Sequence, residues 1–125
     1  MTKAATIHRF WSWFQLKAYE ENAVPTGDNA PDFPYLTYSL VTDSFGDEVS
    51  MTASIWYRST SWTEANAKAE EILNFIGIGG VMLDTDNGKI WIKRGSPFAN
   101  RLSDESDTMI KRIIINISVE FFTND

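Results

Sequence analysis

Apolar and polar residues recur with two different periods along this chain, and each change of period marks an element. Ile7, Phe10, Trp11, Phe14 and Ala18 fall on one helical face, spaced by threes and fours. Thr6 stands where a capping hydroxyl would start that helix, and the stripe runs out between Gln15 and Tyr19. The span NAVPTGDNAPDFP then gathers three of the four prolines with Gly27, which predicts an irregular surface loop.

From Tyr35 the period drops to two. In YLTYSLV, Leu36, Tyr38 and Leu40 share one face, and Tyr35, Thr37 and Ser39 the other. After DSFGDE the alternation resumes in VSMTASIWY. Val49, Met51, Ala53, Ile55 and Tyr57 point one way; Ser50, Thr52, Ser54 and Trp56 point the other. The two runs read as a hairpin. In SWTEANAKAEEILNFIGIGG the helical period returns. Ser61 and Glu64 have the spacing of a capping box, and Ala65, Ala69, Ile72 and Ile76 form the stripe. Gly77, Gly79 or Gly80 ends it. VMLDTDNGKIWIKR predicts a second hairpin, with Asn87-Gly88 as a type I′ turn. A final strand carries Ile113, Ile115, Ile117, Val119 and Phe121 on one face. Arg112, Asn116, Ser118 and Glu120 lie on the other, and the length and branching suit an interior position.

Between these last two strands lies GSPFANRLSDESDTM, Gly95 to Met109, with no period of its own. A connection this long is expected to be functional or mobile. It mixes the apolar Phe98 with Arg101 and the acidic Asp104, Glu105 and Asp107. The element order predicts an α+β fold over residues 1–125 as a single domain. That fold is a two-layer sandwich, a mainly antiparallel sheet of four to five strands with two helices on one face.

Composition narrows the function. The chain has 125 residues, 43% of them hydrophobic and 22% charged, with eight Phe, five Trp and four Tyr, more than one small core requires. A surplus of aromatic residues suits an interface. The net charge is −6 with no basic run, which disfavours nucleic acid and anionic membranes as partners. There is no cysteine, hence no disulfide or thiolate metal site, as suits a reducing compartment. His8 and Arg9 interrupt the apolar start, which is not read as a signal peptide. No apolar run approaches the roughly eighteen residues of a membrane helix.

Catalytic patterns are weak. His8 is the only histidine, and no partner residues stand at zinc or triad spacing. Asp84-Thr85-Asp86-Asn87-Gly88 starts like a calcium loop, but Gly95 occupies the position of the required Glu. IGIGG lacks the Lys-Ser/Thr of a phosphate loop. No metal, cofactor or enzymatic activity is expected. The polar strand face, Thr37, Ser39, Ser50, Thr52, Ser54, Asn116 and Ser118, either meets solvent or meets a neighbour. Trp56 on that face favours contact, since Trp is a frequent interface anchor.

The ordered set FPYLTYSL, SIWYRSTSWTEANAKAEEI and GGVMLDTDNGKIWIKRGSPFANRLSDESDTMIKRIIINISVEF resembles tail terminator or tail completion proteins of long-tailed bacteriophages. The likeness runs from Ile7 to Phe122 and contains no catalytic motif. It implies a subunit that assembles with copies of itself into a ring, commonly a hexamer. The ring sits at the head-proximal end of the tail tube, stops tube growth and joins the tail to the head through connector proteins. It implies no cofactor and no membrane, and a location in the virion neck, with the host cytoplasm as the place of assembly. DNA would pass through the ring without specific binding, which an acidic lumen suits. On this reading Phe98, Arg101, Asp104, Glu105 and Trp56 are candidate contacts with a ring neighbour or the tube. Competing readings are another neck component such as a head completion or stopper protein, a peptide-binding module using a sheet edge, and an enzyme with a hidden site.

Overall fold

The computed structural model describes residues 1–124. Helix α1 spans Lys3–Ser12 and α2 spans Thr63–Ile76. The strands are β1 (Lys17–Glu20), β2 (Tyr35–Tyr38), β3 (Glu48–Arg58), β4 (Val81–Thr85), β5 (Gly88–Ser103) and β6 (Ile110–Thr123). They form one six-stranded sheet in the order β1-β2-β3-β6-β5-β4. All pairs are antiparallel except β1 with β2. The fold is therefore α+β as expected, but with six strands where four to five were expected. No helix among the described residues is long and apolar enough to cross a membrane.

The core forms on one face of β6. Ile113, Ile115, Ile117, Val119 and Phe121 are each at most 2% exposed. Opposite them in register lie Met51, Ala53 and Ile55 of β3 and Ile90 and Ile92 of β5, all buried. Ile7, Phe10 and Trp11 of α1 and Ala65, Ala69, Ile72 and Ile76 of α2 join the same cluster. The helices also touch directly, since Phe75 packs on Phe10 and on Phe14 just beyond α1. The final strand is interior, and α2 lies across β3, β5 and β6.

Several local expectations shift. Thr2, not Thr6, caps α1, its hydroxyl accepting from the Ala5 amide at 3.1 Å. Thr6 is buried and donates to the carbonyl of Asp84 on β4, while the Met1 carbonyl accepts from the Asp86 amide. The helix stops at Ser12, and Gln15 turns the chain with a left-handed φ of 64°. Ala18, an apparent member of the helical stripe, sits on β1 instead. The expected capping box of Ser61 and Glu64 does not form: Trp62 is the N-cap and makes no side-chain cap bond, while Ser61 Oγ accepts from the Thr63 amide. Gly77, at φ 72°, ends α2.

The β4–β5 turn also differs. Thr85 pairs with Gly88, so Asp86 and Asn87 form the turn, and neither has the positive φ of a type I′ turn. Gly88 serves packing instead. A Cβ there would collide with the carbonyl oxygen of Phe122 on β6.

The segment Gly95 to Met109 is the largest correction. Most of it is strand: β5 continues to Ser103, pairing with β6 from Ala99↔Ile115 to Ser103↔Lys111. A bulge between Arg94 and Ala99 absorbs Pro97, which cannot donate to a ladder. Arg94 donates twice to the Leu73 carbonyl near the end of α2, at 3.0 and 3.2 Å, and Asn116 Nδ2 donates to the Pro97 carbonyl at 3.0 Å. Only residues 104–109 remain as a short connection.

Ile115→Ala is expected to cost roughly 2–5 kcal/mol, because the site is fully buried and closely surrounded. Gly88→Ala should be comparably damaging although the residue only adjoins a hairpin turn, by forcing β5 away from β6. Chemical denaturation of both variants checks this; a Gly88→Ala protein as stable as the parent would show that the two strands can separate there freely.

Candidate interaction surface

The other face of the sheet is covered by neither helix. Register carries one row across five strands: Lys17, Tyr35, Trp56, Arg112 and Leu102 stand opposite one another on β1, β2, β3, β6 and β5. Tyr35 stacks on Trp56 with ring centroids 5.9 Å apart and planes 10° from parallel. The Arg112 guanidinium lies 4.5 Å from the Trp56 ring centroid, a cation–π arrangement. Phe33 and Tyr19 flank Tyr35 at 5.3 and 6.4 Å. Polar bonds fix the stack: Trp56 Nε1 donates to Thr37 Oγ1 at 2.9 Å, and Arg112 Nε to Ser54 Oγ at 3.0 Å. Burial raises the Tyr35 phenol above its ordinary pKa, with Arg112 pulling the other way. Leu102, at the row's end, is 44% exposed.

Farther along the same face the surface becomes polar. Thr52 faces Asn116 and Ser50 faces Ser118, as the alternation predicts. Ser118 Oγ donates to Glu48 at 2.6 Å, and Lys93 Nζ pairs with Glu48 at 2.9 Å and with Glu120 at 3.6 Å. The Ser118 bond and then Lys93 hold the Glu48 carboxyl below its ordinary value, and Glu48 chiefly holds Lys93 above its own.

The five sequence-selected residues separate. Trp56 is half-buried in the stack, not a lone exposed anchor. Phe98 packs against the edge of its own core, so the mobile apolar anchor expected there is already seated within the chain. Arg101 points to the helix side, 5.2 Å from the Trp62 ring centroid, with Lys111 at 5.7 Å from the same ring. Asp104 caps the connection, accepting from Ser106 N and Oγ at 2.8 and 2.7 Å, and these bonds lower its pKa. Glu105 is exposed beside it. Asp107 pairs with Arg58 at 3.3 Å. Sequence reasoning missed Tyr35, Arg112 and Leu102 as partners of Trp56. Tyr35 and Arg112 lay on strand faces already assigned, and only the register between strands was lacking.

Because Glu48 is lowered, its favourable contribution stands above its ordinary value of 4.5 and fades as pH falls through the folded value. Lys93 is raised, so its contribution stands below 10.5 and fades as pH rises through its folded value. Ser118→Ala should move the Glu48 titration upward toward the ordinary carboxylate value. Carboxyl-detected NMR across the acid range reads this directly; an unmoved Glu48 would remove the hydroxyl from the explanation.

Comparison with protein-family models, with curated proteins and with solved structures finds no match. What the chain does is therefore read from its own residues and geometry.

Proposed function

We propose that this protein is a structural assembly subunit, a tail terminator that caps a phage tail tube as a ring and joins tail to head. The observation that carries the assembly reading is the uncovered sheet face with its Tyr35–Trp56–Arg112–Leu102 row. Aromatic rings and arginine are the groups enriched where proteins meet. Here Trp56 and Arg112 are held by their own hydrogen bonds and Tyr35 by stacking on Trp56, so less side-chain entropy remains to be lost on contact. The resemblance of the ordered segments to tail terminators supplies the specific role.

In this reading the row is one contact surface, and the β5–β6 connection with Asp104 and Glu105 is a second. Two different patches suit a head-to-tail contact, which closes into a ring when the rotation allows. Arg101 and Phe98 shape the second patch from within by fixing the end of β5. The acidic balance suits a passage for DNA that does not retain it.

Size-exclusion chromatography with light scattering, and electron microscopy of the protein mixed with tail tubes, test the proposal. Rings, or density at one tube end, are expected. Leu102→Asp, at an exposed position, should abolish that association while shifting the melting temperature little. A parent protein that neither forms rings nor binds tube ends would defeat the terminator reading. Unchanged assembly by Leu102→Asp would move the contact away from the aromatic row.

A further inference from the structure

A second feature lies on the helix side of the sheet, away from the aromatic row. Between α2, the turn at Gln15 and the start of β2 is an open cleft of about 440 Å³. Its lining includes Tyr57 of β3, and its rim includes Glu64 and Glu71, one on the first turn of α2 and one two turns later.

Tyr57 is only 6% exposed, yet its hydroxyl makes no hydrogen bond to any described residue. The side chain is otherwise enclosed, and the hydroxyl is not sealed from solvent, so it opens on the cleft with its bonding capacity unused by the protein. Burial, then the Glu64 and Glu71 carboxylates, push its pKa up to about 12. The two acids line the same cleft as the phenol, and at neutral pH the phenol is uncharged. Lys68, also on the lining, is already committed: its ammonium donates to the Phe14 carbonyl at 2.8 Å and pairs with Glu71 at 3.1 Å. Glu64 has no ion pair among the described residues. The cleft thus offers one carboxylate without an ion pair among the described residues and one hydroxyl without a protein partner, between apolar walls of Leu16, Pro34 and Ala67.

We propose that this cleft receives an arginine side chain from a partner polypeptide, with the guanidinium between Glu64 and the Tyr57 hydroxyl. The charge is complementary. A guanidinium has five donors in a planar fork, enough to serve the phenol oxygen, Glu64 and the free oxygen of Glu71 together. Its methylene stem suits the apolar walls. The inference stands on this cleft alone and does not require a ring.

The probe is N-acetyl-arginine amide, titrated into protein carrying labelled tyrosine and followed by NMR at neutral pH. Saturable shifts at Tyr57 in the millimolar range are expected. Glu64→Gln and Tyr57→Phe should each weaken binding about tenfold or more, as loss of a hydrogen bond to a charged group does. Glu64 is exposed, so its variant keeps the test usable should Tyr57→Phe perturb packing. Absence of a saturable shift, or equal affinity in the Glu64→Gln protein, would overturn the proposal. Tighter binding of spermidine would also overturn it, by assigning the cleft to a free polyamine.

Discussion

From Ile113 to Phe121 every second side chain of β6 is withdrawn from water, and both helices owe their positions to that row. Burying each such side chain is favourable by roughly 1.5–3 kcal/mol relative to exposure. Because side chains alternate with a period of two, a slip of one residue would bring all of them to the surface and Arg112, Asn116, Ser118 and Glu120 into the core. The registers with β3 and β5 are therefore fixed by the same burial. The row of Tyr35, Trp56, Arg112 and Leu102 on the opposite face is a by-product of that constraint. Once Ile113 faces the helices, Arg112 must face outward, and pairing brings Trp56 beside it.

The bulge in β5 answers a geometric problem set by that long strand. Gly95 to Ser103 spans nine residues of β5, and Pro97 among them has no N–H to give to a ladder. Four residues leave the ladder instead, and two polar side chains hold them from opposite sides. Arg94 ties the bulge to a carbonyl at the C-terminal end of α2, where a cation is favoured. Asn116 ties it to the outer face of β6. Helix, bulge and central strand are thus joined through backbone acceptors.

Elements with long, one-sided burial were legible: β3, α2 and β6 announce themselves by period. Those lacking that burial were not. β1 has four residues, and Ala18 continues the spacing of α1; the break at Gln15 involves neither Gly nor Pro. The second half of β5 extends past β4, which pairs only with Gly88–Ile92, so it borders β6 alone and carries Asn100, Arg101 and Ser103 in place of an apolar row. Of the candidate surface, Trp56 was visible as an outward aromatic. The Tyr57 cleft was not, because Tyr57 reads as one more core residue and Glu64 as half of a capping box.

The bonds from α1 to β4 bear on how this chain behaves at high concentration. An edge strand with free backbone groups invites pairing with any other exposed strand. Here the Thr6 hydroxyl occupies the Asp84 carbonyl and the Met1 carbonyl occupies the Asp86 amide, both on or beside the outermost strand. The N-terminal segment thus takes two backbone groups at the β4 edge out of reach of an added strand, a cap built from one hydroxyl and one carbonyl.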